Sequence, residues 1–226
     1  MFKHQPQTPL AQNIVNWLYP ITILGLFTIT VEAPLLAALI LLKTSWLKVL
    51  LVWLFLLPVG PVATTVIAIA GRFLHTQTPG LYLDAWRFMR QHGSEALRLW
   101  LPTWIFSLPL WVYSQGVLSA NNRWLFMLIP LLFVIALLLL LLQTAVWVIN
   151  ANFTFPYWDY WRLAIGGFSA KKLTFFANLL LILIGFAIGA WFSPLLLIVL
   201  SSCLLVPMVA LDQPLLAWVK ANFIKP

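Results

Sequence analysis

After the first 48 residues, four long segments of this chain contain no charged residue, and such segments constrain its fold more than any other feature. The segments cover residues 49–71, 99–122, 124–158 and 173–211. A charged side chain at the centre of a bilayer costs about 2.5–3.5 kcal/mol on insertion scales, so charge-free segments of this length are typical of membrane spans. Each span needs about 20 apolar residues to cross about 30 Å of hydrocarbon. The pattern predicts an integral membrane protein.

The composition agrees with this interpretation. Hydrophobic residues make up 63% of the 226 residues and charged residues only 8%, whereas soluble domains are about 45–50% apolar and about 25% charged. We therefore predict an all-α fold, a polytopic transmembrane helix bundle that forms a single domain over residues 1–226. About six spans are expected, near residues 17–42, 47–71, 99–118, 124–149, 173–191 and 194–216. The Leu57-Pro-Val-Gly-Pro61 segment predicts a distortion in the second span.

The distribution of basic residues predicts the orientation. With six spans both termini lie on one side, and that side carries ten of the 13 Lys and Arg residues, with only Lys43, Lys48 and Arg123 opposite. Such a bias favours a multi-pass protein of the bacterial cytoplasmic membrane with both termini in the cytoplasm. The net charge of +8 then reflects orientation and contact with the lipid bilayer, so no nucleic acid is expected as a partner. The 13 Trp residues fall mostly near the predicted span ends, which is typical of side chains at the headgroup level.

A hexapeptide pattern, Y-x-D-x-W-R, occurs twice in the predicted cytoplasmic connections, 75 residues apart. Its residues are Tyr82, Asp84, Trp86 and Arg87 in the first copy and Tyr157, Asp159, Trp161 and Arg162 in the second. The spacing predicts an internal repeat of the parallel kind known in transporters, with units 47–118 and 124–191. On a helix, the Asp and Arg three residues apart can form an ion pair, and the Tyr and Trp four residues apart can stack.

The first connection has the pattern of an amphipathic helix. One face recurs at three- and four-residue steps and holds Leu81, Ala85, Phe88, Met89, His92 and Ala96. The other side holds the polar residues Arg87, Arg90, Gln91, Ser94, Glu95 and Arg98. Two interpretations remain open. The helix can be an interfacial anchor, with its apolar face toward lipid and an ion pair that holds the connection. It can also dock on a protein partner at the cytoplasmic surface.

Few polar residues lie inside the apolar segments. Glu32 is an acidic residue deep in the first predicted span, which makes it a candidate proton or substrate contact, although Glu32-Ala-Pro34 can also mark a kink or re-entrant break. Gln143, Asn150, Asn152 and Asn178 are interpreted as hydrogen-bonding residues between helices. The single cysteine excludes an internal disulfide. No motif predicts a metal, a cofactor or catalytic residues, so we expect a protein that is not an enzyme.

Three segments resemble the YesL-like family of small bacterial membrane proteins. The resemblance rests on 56–72, with Pro58, Gly60 and Pro61 before an apolar stretch that ends at Arg72, and continues through 84–90 and 96–100. It implies a helical membrane protein associated with carbohydrate importers of the ATP-binding cassette (ABC) class, without catalytic residues or a cofactor. Permease or ATPase subunits of such an importer are the implied protein partners.

Two functions from different classes follow. The first is a non-enzymatic accessory subunit or regulator of a carbohydrate ABC importer, which acts by contact with transporter subunits through its cytoplasmic connections. The alternative is a substrate-binding membrane component of a small-solute transporter, which requires a polar cavity among the spans. For that cavity the sequence offers Glu32 and a few amides.

Overall fold

The computed structural model describes residues 9–43, 45–76, 80–114, 123–191 and 194–223. All elements within those ranges are α-helices, which confirms the all-α fold class. The helices are α1 (Pro9–Val31), α2 (Ala33–Leu41), α3 (Trp46–Phe55), α4 (Val59–Thr76), α5 (Leu81–Ser114), α6 (Arg123–Asn152), α7 (Tyr157–Ala170), α8 (Lys172–Trp191), α9 (Pro194–Leu211) and α10 (Gln213–Phe223).

Two helical segments of the described chain are long and apolar enough to cross a membrane. They are Trp46–Leu74 and Pro130–Asn152, which coincide with the second and fourth predicted spans. Three bent helix pairs raise the number to as many as five if each pair is one span: Trp17–Val31 with Ala33–Leu41 (63°), Tyr157–Ala170 with Lys172–Gly185 (104°), and Ser201–Leu211 with Gln213–Phe223 (49°). The last residues of the third predicted span, 115–118, lie outside the described residues.

The predicted distortion of the second span is confirmed by a turn between α3 and α4. Prolines at 58 and 61 have no N–H to donate, so helical hydrogen bonds are lost here. Tryptophan side chains bond to carbonyls at this turn. Trp100 Nε1 donates to Leu56 O at 3.2 Å, and Trp104 Nε1 donates to Trp53 O at 2.8 Å. Trp53 Nε1 donates in return to Trp104 O at 3.1 Å, and the two indole rings stack 3.7 Å apart.

These contacts differ from the headgroup contacts that the sequence predicts for tryptophan. Trp100, Trp104 and Trp147 are all less than 9% exposed and belong to the protein core. The Trp53 and Leu56 carbonyls also accept backbone hydrogen bonds, from Leu56 N at 3.3 Å and from Val59 N at 3.2 Å. Each indole N–H is therefore a second donor to its carbonyl and gains a partner inside the bundle. For these three residues, contacts within the protein replace contact with lipid headgroups, whereas Trp158 and Trp191 are exposed.

The fourth helix, α4, lies at the centre of the bundle. All of residues 60–70 are buried, because α1, α5, α6 and α9 surround this part of the helix. Two threonines are accommodated there by hydroxyls that donate to the carbonyl four residues earlier, from Thr64 to Gly60 and from Thr65 to Pro61. The absence of a side chain at Gly60 admits the Trp100 ring, which a Cβ atom would contact directly.

The two predicted cytoplasmic connections differ in how they continue. The first is the start of α5, a helix of 34 residues, which at about 1.5 Å per residue is longer than the hydrocarbon core is thick. The second, α7, turns by 104° into α8 at Lys171. A second core cluster lies at this bend, where Tyr160, Phe175 and Leu215 are buried against one another and α6.

Candidate functional site

Both copies of the Y-x-D-x-W-R pattern lie at the start of a helix. Asp84 and Asp159 occupy the first turns of α5 and α7, where the positive end of the helix dipole favours a carboxylate. The Arg87 guanidinium lies 3.5 Å from the Asp84 carboxylate, and the Arg162 guanidinium lies 3.6 Å from that of Asp159. Both predicted ion pairs are therefore present, with the same geometry.

The same helix turns present a repeated surface. The Arg87 and Arg162 side chains are 76% and 81% exposed, so each has room for a further partner. Four residues earlier, Leu83 and Trp158 are also largely exposed, and each shares a helix face with its arginine. One turn later on that face lie two further exposed residues, Arg90 in α5 and Ile165 in α7. We call Leu83, Arg87 and Arg90 the first stripe, and Trp158, Arg162 and Ile165 the second stripe.

The opposite face of the first connection is not available to lipid or to a partner. Leu81, Ala85, Phe88 and Ala96 are each 5% exposed or less. The first three belong to the same core cluster as residues of α1 and α4, such as Phe27. The apolar periodicity of this connection therefore corresponds to an internal packing face, and the stripes are the surfaces left for external contacts.

The aromatic residues of the pattern do not make the expected Tyr–Trp stack. Tyr82 and Trp86 each pack edge-on against Phe27 of α1, and Tyr157 packs edge-on against its neighbour Trp158. The Tyr82 hydroxyl also donates to Thr30 Oγ1 at 3.4 Å, and this bond lowers the pKa of the exposed Tyr82 from its ordinary value. The half-buried Trp161 lies against the second core cluster.

A buried tyrosine joins the two connections. Tyr160 Oη accepts a hydrogen bond from Phe155 N at 3.0 Å. It can donate a hydrogen bond to Glu95 Oε1 at 2.8 Å or to Phe153 O at 3.1 Å. Tyr160 is fully buried, and burial is the main reason why its pKa is raised above the ordinary value. The hydroxyl therefore remains a donor, and it ties α7 and the segment after α6 to α5.

Two cavities flank this contact. One, of about 310 Å³, is lined by Glu95, Arg98, Tyr157 and Tyr160 among others. The other, of about 360 Å³, is more polar, and its lining includes Arg72, His92 and Asn150. The Arg72 guanidinium lies 5.3 Å above the Phe88 ring, within the range of a cation–π contact. In this cavity His92 of α5 faces Arg72 of α4 and the segment 150–155.

Glu32 lies at the break between α1 and α2, as its kink-forming interpretation predicts. The residue is 5% exposed, and its side chain makes no hydrogen bond or ion pair with the residues that the structure describes. It lines a third, mostly apolar cavity of about 260 Å³, together with Val59, Trp100, Trp147 and Met208 among others. The cavity thus offers one carboxylate within an apolar wall.

The amides of the apolar segments have different roles. Gln143 bridges α6 to Thr103 of α5 at 2.8 Å, with the amide turned so that its oxygen accepts from Trp147 Nε1. Asn152 donates within its own helix to Val148 O. Asn178 donates to Asp212 Oδ1 at 2.8 Å, which joins α8 to the break between α9 and α10.

Sequence reasoning missed Asp212, which directly follows the last charge-free segment and lies near the end of the predicted span 194–216. A usable signal was present. Glu32-Ala-Pro34 and Asp212-Gln-Pro214 share an acid-x-Pro pattern, and both acids lie at a helix break and are buried. Glu95 and Tyr160 carried no such signal, because their contact joins residues 65 positions apart.

Within the described ranges, no cluster of three or more His, Cys, Asp and Glu residues is suited to hold a metal ion. Comparison of the chain with protein-family models, with curated proteins and with solved structures finds no match. The site is therefore defined by its own geometry: two matched stripes, and a tyrosine contact between the helices that carry them.

Replacing Tyr160 by Phe tests this contact. The substitution keeps the ring but leaves the Phe155 N–H and the Glu95 carboxylate without their partner. The loss of a buried hydrogen bond of this kind lowers the free energy of unfolding by about 1–3 kcal/mol. We expect a lower melting temperature for the purified protein in detergent, followed by intrinsic tryptophan fluorescence.

Tyr157→Phe is the matched control. Its ring lies one turn away on the same helix and is 36% exposed, and its hydroxyl makes no hydrogen bond with the described residues. This variant should have the same melting temperature as the wild type. Equal melting temperatures for Tyr160→Phe and Tyr157→Phe would show that the Tyr160 contact does not hold the connections together.

Proposed function

We propose that this protein is a non-enzymatic integral membrane accessory subunit or regulator of a carbohydrate (glycan or oligosaccharide) ABC importer. It acts by contact, with the two stripes as the surface that meets the permease or ATPase subunits. The observation that carries the contact role is the repetition of an exposed arginine and an exposed apolar residue on one helix face in both connections. The importer assignment rests on the resemblance of 56–72, 84–90 and 96–100 to the YesL-like family.

The chemistry of the stripes suits a protein surface. Arginine can bond a carboxylate in two-point geometry, and arginine and tryptophan are enriched where interfaces are strongest. The intrahelical ion pairs do not remove this capacity, because an exposed pair contributes only about 0.2–1 kcal/mol and leaves most guanidinium donors free. An acidic patch on a cytoplasmic transporter subunit is the complementary partner.

Exchanging the two charges within each ion pair tests whether the connections dock on a partner protein or anchor the chain at the membrane surface. A variant with Asp84→Arg, Arg87→Asp, Asp159→Arg and Arg162→Asp keeps two opposite charges three residues apart, so the pairs and the net charge are retained. The stripes lose Arg87 and Arg162, the two arginines that they have in common. We expect importer subunits to be recovered about tenfold less with this variant from mild detergent extracts of the native membrane, which corresponds to about 1.4 kcal/mol.

Lys220→Glu is the control for a charge change elsewhere, since Lys220 is an exposed basic residue on α10. It should leave recovery unchanged. Unchanged recovery with the four-residue variant would favour the anchoring role for the ion pairs. Absence of any importer subunit from the wild-type preparation would contradict the accessory function itself.

The same proposal includes six spans, both termini in the cytoplasm of a bacterium, and a parallel repeat. The helix bounds support the repeat. Residues 46–76, which hold α3 and α4, correspond after a shift of 75 positions to 121–151, and α6 covers Arg123–Asn152. The same shift takes the start of α5 from 81 to 156, and α7 begins at Tyr157. In each unit a long apolar helix is followed by a helix that opens with the motif.

Reporter fusions at the two termini test this topology. Six spans place both termini on one side, whereas five place them on opposite sides. We expect a cytoplasmic reporter, such as green fluorescent protein, to be active at either terminus, and alkaline phosphatase to be inactive at both. Phosphatase activity at one terminus would reduce the number of spans to an odd value and overturn the assignment.

A second candidate function is favoured by the cavity beside Glu32. An apolar wall with one buried, unpaired carboxylate suits a small solute that has an apolar body and a cationic or hydrogen-bond-donating group. This arrangement supports a substrate-binding component of a small-solute transporter.

Paired probe solutes distinguish this candidate. Hexylamine and hexanol share an apolar chain, but only the amine carries a charge that complements a carboxylate. A solute at 100 times its dissociation constant stabilises a protein by about 2.7 kcal/mol. We expect hexylamine to raise the melting temperature more than hexanol does, and Glu32→Gln to abolish this difference.

Asp159→Asn is the matched control, because it removes an exposed carboxylate that lies outside the cavity lining. It should retain the preference for the amine. Equal responses to hexylamine and hexanol in the wild type would count against a solute site at Glu32.

A further inference from the structure

The contact between Asn178 and Asp212 contains two polar atoms that the proposed function does not use. Asp212 is fully buried and Asn178 is 2% exposed. Asn178 Nδ2 donates to Asp212 Oδ1 at 2.8 Å. The second carboxylate oxygen, Asp212 Oδ2, and the amide oxygen, Asn178 Oδ1, are buried without a hydrogen-bond partner in the described part of the chain. Both atoms are acceptors, and both belong to the same acid–amide pair.

We infer that Asp212 is a proton-binding site. Its Oδ2 carries the proton and donates a hydrogen bond to Asn178 Oδ1. A carboxylic acid and a primary amide are complementary, because each supplies one donor and one acceptor in the plane of the group. One proton therefore gives both unpartnered atoms a hydrogen bond and removes a negative charge from the bundle interior. Turning the amide over would only exchange the roles of the two carboxylate oxygens, so the pair needs one proton in either orientation.

The location of the pair is that of a broken helix. Asp212 lies between α9 and α10, which meet at 49°. Pro214 has no N–H, so the carbonyl of Ala210 lacks its usual helical donor. Broken helices within membranes are where transporters place coupling-ion sites. The hydrogen bond from Asn178 thus connects the break between α9 and α10 to α8, and the proton on Asp212 adds a second hydrogen bond between the two side chains.

No charged group of the described residues neutralises Asp212. Ionisable side chains do occur on the elements that pack around it: Arg72 of α4, Tyr19 of α1, Asp159, Tyr160 and Arg162 of α7, Lys172 of α8, Cys203 of α9 and Lys220 of α10. None of them forms a hydrogen bond or ion pair with Asp212, whose side chain is bonded to Asn178 alone. A proton is the neutralising species that needs no room beyond that of the existing contact.

Infrared spectroscopy of the full chain in lipid vesicles tests the inference. The carbonyl stretch of a protonated acid is separated from the carboxylate bands, and ¹³C-labelled aspartate shifts it for aspartates alone. The other two aspartates, Asp84 and Asp159, are partly exposed and ion-paired with arginines, and Asp159→Asn is the control for them. We expect one label-sensitive protonated-acid band, lost completely in Asp212→Asn and retained in Asp159→Asn.

Asn178→Leu provides a second measurement. The acid then loses its amide acceptor, so the band should remain but move to higher frequency. Asp212→Asn should melt near the wild-type temperature, because its amide can donate and accept hydrogen bonds as the protonated acid does. Loss of the band in this variant is then not explained by unfolding.

Three outcomes would overturn the site. The first is absence of the protonated-acid band in the wild type. The second is a band that Asn178→Leu leaves unmoved, which would exclude the amide as acceptor. The third is loss of the band when sodium replaces choline in the buffer, which would assign the two oxygens to a metal cation. None of these outcomes bears on importer contact through the stripes.

Discussion

The satisfaction of polar groups in an apolar surrounding is the constraint on which this structure depends. Breaks in apolar helices disturb the regular backbone hydrogen bonds, and water is not there to complete the pattern. At the turn between α3 and α4, indole N–H groups from α5 bond to the carbonyls of Trp53 and Leu56. Because these bonds run between helices, they also position α5 against α4. A local defect in one helix thereby becomes a tertiary contact.

The five carboxylates of the chain follow the same constraint in three ways. Asp84 and Asp159 lie at exposed helix starts and pair with arginines. Glu95 accepts a hydrogen bond from a buried tyrosine of the other connection. Glu32 and Asp212 lie at the breaks of the bent helix pairs near each end of the chain, one beside an apolar cavity and the other against an asparagine. A chain with so few charges uses each of them at a structurally distinct point, so they are better guides to function than its many apolar residues.

The first connection shows why amphipathic periodicity is ambiguous in a membrane protein. Residues such as Ala85 and Phe88 recur at helical spacing, which is equally compatible with contact to lipid, to a partner or to the protein's own core. The structure assigns them to the core around Phe27 of α1. Consequently the external surface lies on the side of Leu83 and Arg87, which periodicity alone marks as the solvated side. Burial, and not spacing, decides which face is available.

The sequence by itself determined the local features: the all-α class, the apolar helices at Trp46–Leu74 and Pro130–Asn152, the distortion at the Pro58 to Pro61 segment, and the two Asp–Arg ion pairs. These depend on residues within one or two helical turns of each other, where spacing specifies geometry. Only the tertiary structure decided that Tyr160 meets Glu95, that Asn178 meets Asp212 and that Trp104 donates to the Trp53 carbonyl. Those partners are between 34 and 65 positions apart, and helix packing alone brings them together, because apolar residues direct helices into a bundle without specifying which faces meet.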